Sequence, residues 1–120
     1  MNMELLFTKT HEWVQFMDDT TARVGISDYA QKELGDLVFI NLPEAGDTVK
    51  AGESFSDVES VKAVSNVYSP VSGMVRGVNE RLLDHPEFVN TNPYDAWFVE
   101  VEGITDKAEL LSEGEYSKIL

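Results

Sequence analysis

The 120-residue sequence contains no cysteine. Disulfides, thiolate metal sites and cysteine nucleophiles are therefore excluded, and the chain fits a reducing compartment. Positive charge is scarce: nine Lys and Arg stand against 22 Asp and Glu, a formal net charge of −13. That balance opposes phosphate backbones, so no nucleic-acid partner is expected. It describes a self-repelling surface, or a carrier that meets enzymes with basic rims. No apolar run approaches the ~20 residues needed to span a bilayer, and no membrane partner is expected. The opening Met1-Asn2-Met3-Glu4-Leu5-Leu6-Phe7 has no basic n-region, and its apolar stretch is too short for a signal peptide. A cytoplasmic protein is expected, or one of the mitochondrial matrix if a presequence has been removed.

Catalytic signatures are missing as well. There is no glycine-rich phosphate loop, nucleophile elbow or HExxH pair. His11 and His85 lie far apart without companion ligands and read as surface or structural histidines, so no metal is expected. Asp18-Asp19 lacks the spacing of a calcium loop. Trp13 and Trp97 read as core aromatics. No general acid, base and nucleophile assemble, so the chain is not expected to be an enzyme.

What is present is a series of short strands. Glu12 to Met17, with Val14 and Phe16 on one face, and Thr21 to Ile26, with Ala22, Val24 and Ile26 on one face, predict a hairpin around Asp18-Asp19. Asp28 to Gly35 reads as a short helix, with Asp28 and Gln31 in a capping box and Gly35 at its end. Leu37 to Ile40 reads as a buried strand, and Pro43 to Asp47 as a turn. Glu53 to Glu59 and Ala63 to Tyr68 form two further strands; Phe55 and Val58 differ in parity, which predicts a bulge. After a turn at Pro70 and Gly73 comes a strand from Met74 to Val78, then a loop with a helical turn to Tyr94. Trp97 to Glu102 alternates as a last strand. From Ile104 the pattern predicts one or two helical turns, capped at Thr105 or Asp106, with Leu110 and Leu111 as the apolar face and Gly114 as the breaker. Many short strands with regular turns indicate a mainly β protein, a sandwich or flattened barrel.

One segment stands out. Gly46-Asp47-Thr48-Val49-Lys50-Ala51-Gly52-Glu53 precedes Val58-Glu59-Ser60-Val61-Lys62-Ala63, and Ser69-Pro70-Val71-Ser72-Gly73 follows it. A lysine thus sits between two strands and two glycine turns. This resembles the lipoyl/biotinyl carrier domains, and Glu59-Ser60-Val61-Lys62-Ala63 is most similar to the H proteins of the glycine cleavage system. The likeness extends to His11-Glu12-Trp13-Val14, Val24 to Gln31, Leu34 to Val38, Leu42-Pro43-Glu44, Val89-Asn90, Pro93-Tyr94 and Trp97. A general lipoyl domain would not need His11-Glu12-Trp13 or Pro93-Tyr94. The chain departs from the family at Asn66, where Asp is common, and at Asp95-Ala96, where glycine often precedes the tryptophan.

The resemblance implies a flattened barrel or sandwich hybrid of the lipoyl/biotinyl type with short helices. Residues 1–120 would form one carrier domain with a C-terminal helical appendage over about 104–120. It places Lys62 at a hairpin tip, a position that turn chemistry alone does not indicate, since Ser60-Val61-Lys62 has no Gly, Asn or Pro. It implies lipoate joined by an amide bond to Lys62. Biotin is the competing cofactor, but biotinyl carriers usually flank the lysine with methionines. Glu59, Ser60, Val61 and Ala63 would then be the recognition motif for a lipoyl ligase or transferase, which must itself supply a base to free the amine. Counting about ten bonds, the arm would put its sulfur roughly 12–14 Å from the backbone. Glu12, with Thr10 and Asn66 beside it, would be where the loaded arm docks. The implied partners are a glycine decarboxylase (P protein), a tetrahydrofolate-dependent aminomethyltransferase (T protein) and dihydrolipoamide dehydrogenase (L protein). The carrier would shuttle an aminomethyl group from the first to the second and be reoxidised by the third. A monomer is expected. Two readings from other classes are a lipoyl donor or relay for other enzymes, and a hydrolase or binding module unrelated to lipoate.

Overall fold

The computed structural model describes residues 4–120; Met1, Asn2 and Met3, part of the segment tested above for a leader, lie outside the described residues. The chain is mainly β and forms two antiparallel sheets. The larger sheet holds β1 (Leu5–Phe7), β2 (Glu12–Asp18), β3 (Thr21–Ile26), β9 (Val99–Lys107), β8 (Val71–Val78) and β5 (Thr48–Val49), in the spatial order β1-β2-β3-β9-β8-β5. The smaller sheet holds β4 (Leu37–Asn41), β6 (Ser54–Ser60) and β7 (Val64–Tyr68), in the order β4-β6-β7. Three short helices fill connections, α1 (Asp28–Leu34), α2 (Arg81–Asp84) and α3 (Phe88–Thr91), and a fourth, α4 (Glu113–Ser117), follows the last strand.

The alternation read from the sequence produces this arrangement. Val14, Ala22, Val24 and Ile26 of the β2–β3 hairpin are buried against Ile40, Val58 and Val67 of the small sheet and Val71, Val75 and Val101 of the large one. Much of this core is valine, whose branched side chain packs well on a pleated surface. The predicted bulge is found where the parities clashed, in the register shift between Ser54 and Ser56 that brackets Phe55.

The structure corrects several expectations. The cap of α1 is Ser27, not Asp28: Ser27 Oγ accepts the Ala30 amide at 3.1 Å. Asp28 is already inside the helix, where Gln31 Nε2 donates to it at 2.8 Å and Lys32 Nζ pairs with it at 2.9 Å. The apolar run Leu37 to Ile40 is buried only at Leu37 and Ile40, whereas Val38 and Phe39 are exposed. It forms an edge strand with one solvated face, and a register shift between Leu37 and Phe39 leaves Val38 and Phe39 both exposed. Two helical turns, α2 and α3, occupy the segment read as loop with one. Trp97 is only partly buried, lying beneath the Arg23 guanidinium at 5.0 Å.

Gly73 is a strand residue and not a turn. A Cβ there would meet the Glu102 carbonyl oxygen at 2.6 Å and Val101 Cγ1 at 2.7 Å. The largest correction is at the C-terminus. Residues 104–107 belong to β9 rather than to a helix, because Gly103 adopts φ +61° in a bulge and lets the strand continue. Asp106 and Lys107 then pair with Ser72 and Val71. The appendage over 104–120 is helical only at α4, capped by Ser112 in a capping box with Glu115. Gly114 lies within that helix rather than ending it.

These contacts yield a test. Gly73→Ala should lower unfolding stability by about 1–3 kcal/mol through overpacking. Gly77→Ala, where a Cβ meets nothing within 4 Å, should change it by about 0.5 kcal/mol or less. Urea unfolding of both variants checks this; equal effects would mean that the close approach at Gly73 is not what matters.

Candidate functional site

Lys62 lies at the tip of the β6–β7 hairpin, and its side chain is exposed. The turn lacks Gly, Asn and Pro because a serine hydroxyl does their work. Ser60 Oγ accepts the Lys62 amide at 3.2 Å and the Ala63 amide at 3.0 Å. The Ser60 amide donates to the Ala63 carbonyl at 2.8 Å, closing the loop. This is the side-chain mimicry of a backbone turn that Ser and Thr offer. The Val61 amide donates to the Asp36 carbonyl at 3.0 Å, tying the tip to the α1–β4 connection. A Cβ on Gly35 would lie 3.7 Å from Lys62 Cε, so the lysine stem runs over that glycine. Among the described residues, no carboxylate lies within ion-pair distance of the Lys62 amine.

Glu59 is exposed and stands in register between Phe39 on β4 and Val64 on β7. Val61 and Val64 beside the tip are 70% and 68% exposed. The lysine is thus framed by apolar surface with a carboxylate set into it. Ala63 completes the exposed tip.

Glu12 lies elsewhere and is only 2% exposed. It is not a solvated strand residue. Thr8 Oγ1 donates to its Oε1 at 2.7 Å, Thr10 Oγ1 donates to the same oxygen, and the Tyr68 amide donates to Oε2 at 3.1 Å. Burial pushes the Glu12 carboxyl pKa up, and the two hydroxyls and the Tyr68 N–H oppose that rise. Tyr68 ends β7, an edge strand, so the carboxylate satisfies an edge amide and links β2 of one sheet to β7 of the other.

Thr10 is exposed at the rim of this pocket, and Asn66 is exposed on β7, accepting from Ser54 Oγ at 3.4 Å. At ~3.3 Å per residue, Asn66 lies about 13 Å along β7 from the lysine and Tyr68 about 20 Å, upper limits for a twisted strand. By that measure an arm of roughly 12–14 Å laid along β7 from Lys62 would end near Asn66, short of Tyr68. Thr8 and the Tyr68 amide were not singled out from the sequence. Thr8 had a local signal, lying one turn of chain before Glu12; the Tyr68 amide had none.

The two outlying segments that set this chain apart from a general lipoyl domain meet in space. Trp13 Nε1 donates to the Pro93 carbonyl at 3.0 Å. Tyr94 packs edge-on to Trp13 and Phe7, and its hydroxyl accepts the Asp28 amide at 3.1 Å. Trp13 fits because its cross-strand neighbour is Gly25, where a Cβ would sit 2.6 Å from the indole. Ala96, one of the departures from the family, is fully buried in the core.

Residues 5–120 match the family model described as glycine cleavage H-protein. The chain belongs to that family. It is 60% identical over 116 residues to the glycine cleavage system H protein of Lachnoclostridium phytofermentans, covering 97% of this chain and 91% of that one. It is 50% identical over 120 residues to that of Listeria monocytogenes, covering 98% and 95%. The crystal structure of a glycine cleavage system H protein from Mycobacterium marinum superposes with a TM-score of 0.92 at 40% identity, covering 99% of this chain and 98% of that one. The chain is therefore a lipoyl carrier subunit of the glycine cleavage system, with lipoate attached covalently to a lysine and no catalysis of its own. That role implies interaction with the P, T and L proteins. No group of three or more metal-ligating side chains occurs among the described residues.

The buried carboxyl gives a pH signature. Its folded pKa lies above the ordinary 4.5, so the unfolded chain loses this proton first as pH rises. Across that window the native state binds more protons, and stability falls with rising pH until the folded group ionises. Glu12→Gln removes this contribution. The difference in urea midpoint, variant minus wild type, should grow from about pH 4.5 upward and then level off. The carboxylates shifted the opposite way, such as Asp28 and Glu100, are common to both proteins and cancel. A difference that stays flat with pH would show that Glu12 is not strained by burial.

Proposed function

We propose that Lys62 is the lipoyl-bearing lysine of this carrier. The observation that supports it is the exposed hairpin tip, held by Ser60 and Asp36, which presents the amine without an ion partner. Acylation there asks for no rearrangement of the fold, so the residues present fit the group. Glu59, Ser60, Val61 and Ala63 are the surface that a lipoyl ligase or transferase reads. Glu12, Thr10 and Asn66 are where the loaded arm rests. Lipoate supplies the redox-active disulfide that carries the one-carbon unit, and the chain positions it. Glu12 offers negative charge toward a cationic cargo in a place that water reaches poorly. A charge pair at 4 Å is worth about 1 kcal/mol in water and about 4 at an effective dielectric of 20. That range favours resting on the carrier and still allows delivery to the aminomethyltransferase. The shared core between the two sheets supports one carrier domain, and we propose that it works as a monomer in the cytoplasm. No described helix is long and apolar enough to cross a membrane.

Two experiments test these assignments. Lys62→Arg should fold normally and lose all modification when expressed with lipoate; peptide mass mapping that finds lipoate on Lys50 or Lys32 would move the site. Glu12→Gln should leave lipoylation intact but speed the spontaneous release of formaldehyde and ammonia from loaded protein. Equal release from wild type and variant would remove Glu12 from the resting site.

A further inference from the structure

The connection from β1 to β2 is a tight turn. The His11 amide donates to the Thr8 carbonyl at 3.1 Å, and the Thr8 amide donates to the Glu12 carbonyl at 3.0 Å. His11 adopts φ +76°, and among the described residues no other non-glycine residue has a positive φ. That conformation is strained for an L-residue, so neighbouring contacts must hold it. His11 Nδ1 lies 2.7 Å from the Tyr116 hydroxyl, and Ser27 Oγ lies 2.7 Å from the same hydroxyl. Ser27 Oγ already accepts the Ala30 amide, which leaves its proton for Tyr116. Burial lowers the His11 pKa against an opposing pull from Glu33, favouring the neutral ring. These contacts are compatible with Ser27 O–H donating to the Tyr116 oxygen and Tyr116 O–H donating to His11 Nδ1 in its Nε2-protonated tautomer.

The other contacts point the same way. The Ser27 amide donates to the His11 carbonyl at 2.9 Å, and the His11 ring packs on Tyr29 at 4.7 Å. Tyr116 arrives on α4 from the far end of the chain and stacks on Phe7 at 4.4 Å. Two backbone hydrogen bonds between Phe7 and Leu111, at 2.8 and 2.7 Å, bring that segment alongside β1. The turn that His11 ends is the one that carries Thr8 and Thr10, the two hydroxyl donors to Glu12.

We propose that Tyr116 is a positioning residue for the arm-resting carboxylate. Through His11 it holds the turn over residues 8–11 in the conformation that lets Thr8 and Thr10 both reach Glu12. The C-terminal helix thereby sets the geometry of a site to which it contributes no direct contact. This inference rests on the reading that Glu12 receives the loaded arm, and the test separates the two.

The experiment compares Tyr116→Phe, His11→Ala and His11→Asn with wild type. Tyr116→Phe keeps the stacked ring and removes the hydroxyl. His11→Asn retains a residue that tolerates the left-handed conformation and a side-chain oxygen that can accept from Tyr116. His11→Ala retains neither. The first readout is the titration of the Glu12 carboxyl carbon by NMR in unloaded protein. It should move upward in Tyr116→Phe and His11→Ala, where a donor is lost, and stay near wild type in His11→Asn, with Glu100 unmoved throughout. A helix that merely staples the C-terminus would lower thermal stability and leave the Glu12 titration unchanged; that result in both Tyr116→Phe and His11→Ala overturns the proposal. The second readout is formaldehyde release from loaded protein. It should rise about two- to tenfold in the same two variants, the worth of one hydrogen bond, and not in His11→Asn. A shifted titration with unchanged release supports the positioning role and overturns Glu12 as the resting site. Should Tyr116→Phe fail to fold, the two His11 variants decide the matter alone.

Discussion

A buried carboxylate holds the two sheets of this carrier in relation to each other. Glu12 begins β2 in the large sheet and accepts from the last residue of β7 in the small one. Moving an ionised group out of water is costly unless hydrogen bonds replace its hydration. Here two threonine hydroxyls and one backbone amide do so. An apolar side chain at this position would leave the Tyr68 amide without this partner, a loss of ~1–3 kcal/mol, and would take the shared acceptor from both hydroxyls. The carboxylate also occupies one amide at the end of β7's outer edge.

Around that tie the molecule divides its labour. The valine-rich core carries the stability and has almost no contact with solvent. The hairpin tip carries the exposed lysine and is stiffened by hydrogen bonds of Ser60 and Asp36 rather than by burial. A carrier has to present the same amine to a modifying enzyme and the same arm to successive partners. A stiff, solvent-facing tip on a packed body meets that demand without any moving part in the carrier itself. Phe39, Val61 and Val64 leave an exposed apolar frame around Glu59 at this tip.

Much of the architecture was legible because it is local. Alternation marked the β2–β3 hairpin, and the parity clash between Phe55 and Val58 marked a bulge. The lysine segment was legible through its resemblance to a family, while its turn was not. The hydroxyl of Ser60 forms that turn, and serine is too common in other settings to announce one. The Asp28–Gln31 pair was also visible, but the cap it suggested went to Ser27, whose hydroxyl lies one residue earlier.

The sequence by itself determined the β class, the lack of catalytic machinery, the acidic surface and the lysine segment, because composition and short-range periodicity encode these. Tertiary structure decided the continuation of β9 past Gly103, the packing of Gly73 against Glu102, the meeting of Trp13 with Pro93, and the burial of Glu12. Each of these depends on a partner far away in the chain. A strand's end is set by what lies beside it, and a carboxylate's environment by which amides and hydroxyls folding delivers to it. Neither is recorded in the residues next door.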